Sequence, residues 1–299
     1  MLIDDIIALA AKQDPVFEKQ LTGATVLKVH NVAEHVFRTM NTWDIERDFP
    51  NIAPPFEQIW MEWTQWADWE PTGPPRPSIP TRYPMGVFLQ SYDLHKLRGM
   101  DDMEWNKFAG ETMPEAARWW TIAHFSRRTL PHTLESAPCF SWCATAEGRM
   151  LPIQGGLLTS PHPLHPQKLE DADMEIAEAA SMFLPVPFTA ISLMHCKNAR
   201  VVKGPAISPK LARSRQRRGK PPLIRWRTLV IDSSKPVSAS LGTGANGGKD
   251  KALHIIRGHF KDFSSSSLFG KHRGLYWWAQ HARGLAEHGK VEKEYEVRS

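Results

Sequence analysis

Apolar residues at positions 2, 3, 6, 7, 9 and 10 recur at helical spacing from Leu2 to Ala11, and the pattern stops before Pro15. This predicts an N-terminal amphipathic helix. Asn31, with Glu34 three residues later, reads as a capping-box-like start for a second helix through Met40. Asp44 to Pro55 reads as loop. Ile59, Trp60, Met61 and Trp63 leave Gln58–Thr64 with almost no polar face, the pattern of a strand buried on both sides. Apolar runs at Met85–Tyr92, Trp119–Phe125 and Phe140–Ala146 predict further strands between Gly/Pro-rich connections. Pro161, Pro163 and Pro166 hold Ser160–Pro166 extended or in a turn, and Lys168–Phe183, rich in Glu, Ala and Met, predicts an amphipathic helix.

Beyond that helix the pattern changes. Phe188–Lys197, Leu223–Ile231, Ala252–Phe260, Leu275–His281 and Glu294–Arg298 all predict strands. The expected class is α+β: a mixed, mainly antiparallel sheet in the C-terminal part, with helices mostly from the N-terminal two thirds. The 299 residues are read as a single domain, 1–299, with a soft boundary near 150–168. Within it lie a basic arm at 198–222 and a flexible Gly-rich loop at 238–250. That loop does not lead into a Lys-Ser/Thr helix start, so it is not read as a phosphate loop.

Composition narrows the class. With 41% hydrophobic and 23% charged residues the chain is globular, neither fibrous nor wholly disordered. Cys139, Cys143 and Cys196 cannot form a closed disulfide set, which suggests a reducing compartment. Met1-Leu2-Ile3 runs straight into Asp4-Asp5 where an export signal needs Lys or Arg, so a cytoplasmic location is expected. The longest uncharged apolar stretch, Ala179–Met194, contains Pro185 and Pro187 and falls short of the roughly 20 residues of a spanning helix. No membrane is expected as a partner. Trp60, Trp63, Trp66 and Trp69 recur every third residue. Exposed tryptophan stripes bind sugars or unpaired bases, but tryptophan is more often core, and the stripe is read as core.

Charge layout is the strongest global signal. Lys197, Arg200, Lys203, Lys210, Arg213, Arg215, Arg217, Arg218, Lys220, Arg225 and Arg227 put eleven cations into one stretch without an Asp or Glu. Because the whole chain carries +5, the other 268 residues sum to −6. The basicity is a local device. A segment of one sign repels itself and is expected to stay mobile without a polyanion. It reads as an arm thrown out between two strands, with Lys210, Arg213, Arg215, Arg217, Arg218, Lys220, Arg225 and Arg227 contacting phosphates and Trp226 packing or stacking at its edge. The bland alternative is a solvated loop, or one folded over the acidic remainder of the chain.

A second signal lies in Leu253–Phe260 and Tyr276–Gly284. If the two strands form an antiparallel hairpin centred on Gly270, His259 faces His281 and Arg257 faces Arg283. Opposed like charges destabilise a sheet unless an anion lies across them. Arg257 and Arg283 would then grip a phosphate or carboxylate, with His259 and His281 as catalytic acid or base. A shift of register separates the four, and the long connection fixes that register poorly.

The run Arg257-Gly258-His259-Phe260, then Leu268-Phe269-Gly270, Trp277-Trp278 and His281-Ala282-Arg283-Gly284, resembles the C-terminal signature of uncharacterised proteins from phages, plasmids and bacterial chromosomes. Trp43 to Phe56 is similar to the same group. The likeness covers about a quarter of the chain, at its two ends. It implies a mobile-element context, with nucleic acid or a host protein as partner, and transfers no catalytic residue.

Other constellations are weaker. Cys139 and Cys143 with His195 and Cys196 offer four zinc ligands in principle, but structural sites use tighter cysteine pairs. His162 and His165 sit among prolines without a third ligand nearby, and Glu170, Asp171, Asp173, Glu175 and Glu178 read as a solvated acidic face. Cys196 follows His195 directly, and adjacent strand residues point to opposite faces. A serine of Ser264–Ser267 beside His259 is a further nucleophile candidate. No metal and no cofactor are expected. Two classes of function remain: a binding protein that contacts nucleic acid or an acidic protein surface through its arm, and an enzyme acting on a phosphorylated or nucleotide substrate. An inhibitor of a host nucleic-acid-binding protein differs from the first only in its partner.

Overall fold

The computed structural model of the chain describes residues 1–39, 43–66, 82–93, 118–126, 139–145, 148–149, 158–160, 167–168, 184–218, 224–231, 252–256, 258–267, 270–278, 281–283 and 285–290. The fold is α+β with a mixed, mainly antiparallel sheet. The chain divides into two compact units, residues 1–195 with 201–229 and residues 196–200 with 230–299.

Helices α1 (Leu2–Gln13) and α2 (Pro15–Gly23) open the first unit. Asp14 ends α1 in an extended conformation and starts α2, its carboxylate accepting from the Val16 and Phe17 amides at 2.9 and 3.0 Å, with Pro15 where no amide is needed. Strand β1 (Thr25–Lys28), helix α3 (His30–Thr39), the single turn α4 (Ile45–Asp48) and strand β2 (Gln58–Trp66) follow. Strands β3 (Arg82–Asp93), β4 (Arg118–Ser126), β5 (Cys139–Ala144), β6 (Leu158–Ser160) and β7 (Gln167–Lys168) continue as an antiparallel meander from β2. Helix α5 (Pro185–Met194), strand β8 (Ala199–Lys203), helix α6 (Pro209–Arg217) and strand β9 (Trp226–Ile231) complete the element order to this point. The nine strands run β7-β6-β5-β4-β3-β2-β1-β9-β8, and β1 is parallel to both β2 and β9.

Both faces of β2 are buried, as its lack of a polar face predicts. Trp60 enters a core with Leu2, Ile3, Ile6 and Leu21 from α1 and α2 and Phe88 and Phe125 from β3 and β4. The Trp60 indole lies so close over Gly86 of β3 that a Cβ there would collide with it. Glu62, 6% exposed on the same face, accepts from the Ile3 amide at the start of α1 (3.3 Å) and from Trp60 Nε1 (3.4 Å). A buried carboxylate is tolerated because these donors and the positive end of the helix meet it. On the other face α3 packs against β2 and α5, and Phe188 of α5 meets Trp142 edge-on at 5.2 Å and Phe49 at 5.6 Å.

Three local expectations are corrected. Phe188–Lys197 is not a strand; most of it belongs to α5, whose residues 185–193 are all buried. A helix buried on every side has no polar stripe to betray its period. Pro185 and Pro187 occupy its first turn, where the missing amides have no helical partner to lose. Asn31 does not cap α3, which begins at His30; its Nδ2 donates instead to the Leu229 carbonyl of β9 at 3.0 Å, across the parallel strands. Asp44–Pro55, read as loop, contains the turn α4, capped by Asp44 on the Arg47 amide at 2.9 Å. The helix expected at Lys168–Phe183 lies outside the described residues beyond Lys168, which ends β7. The strand at Glu294–Arg298, the loop 238–250 and most of the 150–168 boundary lie outside them too.

The second unit holds β10 (Ala252–Ile256), β11 (His259–Asp262), β12 (Leu275–Trp278), β13 (His281–Arg283) and β14 (Leu285–Lys290). β10 lies between antiparallel β13 and parallel β14, and β11 pairs with β12. Asn198 acts as a side-chain rung for β12: its Oδ1 accepts from the Trp277 amide at 2.9 Å and its Nδ2 donates to the Trp277 carbonyl at 2.7 Å. Trp277 packs at 4.6 Å against Phe260 across the ladder. Gly270 and Gly274, at φ +71° and +103°, supply the left-handed conformations between β11 and β12. Among the described residues no helix is long and apolar enough to cross a membrane.

Candidate polyanion-binding surface

The basic segment takes regular structure where an arm between strands was expected. Residues 199–203 form an edge strand and 209–217 the helix α6. Local chemistry explains α6. Ser208 Oγ accepts from the Leu211 amide at 3.2 Å, Pro209 fills the first position, and Leu211, Ala212, Arg213, Arg215 and Gln216 are good helix formers. Arg215 and Arg217 in the last turn favour the negative end of the helix. These gains oppose the like-charge neighbours Lys210/Arg213, Arg213/Arg217 and Arg215/Arg218, each costing a few tenths of a kcal/mol.

No residue of α6 is buried, and only Ser214 and Arg215 are half-buried. Lys210, Arg213 and Arg217, spaced three and four apart, form one exposed stripe within about 60° of arc at 100° per residue. Among the described residues no Asp or Glu pairs with Lys210, Arg213, Arg217 or Arg218. Arg213 Nε reaches only the Pro209 carbonyl, at 3.4 Å. Among the described residues, then, no carboxylate of the protein occupies these four cations.

The remaining predicted contacts behave differently. Arg225 is exposed just before β9, whereas Arg227 within it holds its guanidinium 5.5 Å from the Phe56 ring centre. Lys220 lies outside the described residues. Trp226 is no free stacking platform. Lys28 Nζ sits 4.4 Å over its ring, and the Gly204 backbone approaches so closely that a Cβ would come within 3.0 Å of Cδ2 and Cε3. A signal for this was present in the sequence: Gly204 follows a strand and precedes Pro205, where only a bare Cα admits the indole.

The Arg/His hairpin is displaced by three positions from the expected register. His259 stands opposite Trp278, not His281, and its ring lies 6.1 Å from that indole. His281 stands opposite Ile256, and Arg283 opposite His254. An odd displacement exchanges faces. The ladder thus places His254, His281 and Arg283 on one face of β10 and β13, a grouping the sequence reading missed, while Arg257 lies outside the described residues.

The nucleophile and ligand candidates are not assembled. Ser264 donates its hydroxyl to Asp262, which also accepts its amide, so this serine closes a turn. His195 Nε2 is bound to the Ala53 carbonyl at 2.7 Å, and burial pushes the Cys196 thiol up to about 12, away from thiolate chemistry. Cys139 and Cys143 lie four apart along β5, about 13 Å at 3.3 Å per residue, too far to share one metal ion. His162, His165 and the acidic run 170–178 lie outside the described residues. Comparison with protein-family models, with curated proteins and with solved structures finds no match to this chain.

Proposed function

We propose that this chain is a polyanion-binding protein of phage or plasmid-like context that contacts the phosphate backbone of nucleic acid in the cytoplasm through α6. The observation that carries the reading is the stripe of Lys210, Arg213 and Arg217, exposed and unpaired with any acid of the described residues. A surface cation without a partner keeps its full Coulomb field for an incoming anion, and counterions released from phosphates supply the binding free energy. The mobile-element context rests on the resemblance of the two chain ends. The binding reading is carried by α6 and not by the Arg/His hairpin, because the ladder does not set His259 opposite His281.

The test is retention on immobilised heparin and on DNA. Changing Arg213, Arg215, Arg217 and Arg218 together to Ala is expected to weaken retention at least tenfold while the far-UV circular dichroism of the sheet is unchanged. Unaltered retention of that variant on both matrices overturns the proposal. Retention on heparin without any on nucleic acid would transfer the role to an acidic protein surface.

A further inference from the structure

Resting on the nucleic-acid reading, we propose a narrower one: α6 docks on a double-stranded nucleic acid by its phosphates, in preference to single strands.

Shape supports this first. The helix is formed before any ligand arrives, by the Ser208 cap and Pro209, so little ordering cost is set against binding. Nine residues give a rod about 13 Å long and roughly 10–12 Å across, a match for a major groove about 12 Å wide. Lys210 to Arg217 covers about 10 Å of that rod, the axial rise of about three phosphates on one strand. A rigid stripe of point charges suits a regular phosphate lattice. A flexible single strand presents none.

The absence of stacking surfaces is the second support. Binding of unpaired bases without sequence preference draws about 1–3 kcal/mol per base from aromatic rings. Residues 199–218 contain no Phe, Tyr or Trp. Trp226, the next aromatic along the chain, has one side under Lys28 and another against Gly204. What residues 199–218 offer is charge without an aromatic ring, which serves backbone contact with a duplex and leaves single strands without their main source of affinity.

Position on the helix divides the cations. Arg215 lies about 180° from the middle of the stripe and is half-buried, so it faces away from a duplex seated on Lys210, Arg213 and Arg217. The relevant phosphates also relieve the Lys210/Arg213 and Arg213/Arg217 repulsions, which no acidic neighbour on α6 offsets.

The experiment measures fluorescence anisotropy of a short labelled duplex and of one of its strands with the full chain at about 50 mM salt, where phosphate contacts are strong. Duplex binding is expected to be at least tenfold tighter than binding of the strand. Arg213→Ala with Arg217→Ala is expected to reduce it about tenfold, and Arg215→Ala less than twofold. Equal or tighter binding of the single strand, with heparin retention intact, overturns the duplex inference and leaves the polyanion reading standing. An Arg215→Ala loss as large as that of the double variant overturns the assigned face. Failure to bind duplex, strand and heparin alike sinks both readings.

Discussion

Trp60→Ala is expected to remove about 3–5 kcal/mol of stability, the range for deleting a large aromatic side chain from a packed core. Trp60 is fully buried against Phe125 at 5.5 Å, lies over Gly86, and donates to Glu62. Truncation leaves a cavity between α1 and β3 and strips the indole donor from a carboxylate that is largely buried. Domains are stable by only about 5–15 kcal/mol, so a large share disappears with one residue. Urea denaturation followed by circular dichroism measures it as a lowered midpoint at constant slope. A loss under 1 kcal/mol would show that Trp60 is not the centre of this core.

Acid should cost nearly as much through one histidine. Burial pushes the His124 imidazole on β4 from 6.5 down to about 4. The folded ring stays neutral until about pH 4, while the unfolded ring takes its proton near 6.5. Between those values the unfolded chain binds more protons, so stability falls as pH drops, by about 1.4 kcal/mol per pH unit and roughly 3 kcal/mol in all. Above 6.5 the residue contributes no pH dependence. Other groups titrate in the same window, so the quantity to follow is the difference between wild type and His124→Asn in urea midpoints at pH 7, 5.5 and 4. The two profiles should converge as the pH falls; profiles that run parallel would contradict a neutral, buried imidazole.

Much of the sheet was legible because its strands are continuous apolar runs rich in aromatics, bounded by Gly and Pro. Gln58–Trp66, Arg82–Asp93, Arg118–Ser126 and Cys139–Ala144 all fall close to their predicted ranges. Thr25–Lys28, four residues long, carried no periodic signal, although it pairs in parallel with both β2 and β9. Pro185–Met194 was misread because uniform burial erases the helical stripe. At the candidate surface, the cation list was legible and the helix presenting it was not: charge density suggested self-repulsion, while Ser208-Pro209, a start signal of local chemistry, outweighed it. The hairpin register escaped because Asn198, about 80 residues away, fixes Trp277, and no local pattern encodes that contact.

The central claim is that Lys210, Arg213 and Arg217 of α6 are available to phosphates and not held by the protein's own carboxylates. Titration of duplex binding against salt tests it directly. Three or four phosphate contacts give a slope of log K on log salt of about −3 to −4, at about −0.9 per contact, and the Arg213→Ala, Arg217→Ala variant loses about two units of that slope. A wild-type slope near zero, or one the double variant leaves unchanged, would contradict the account.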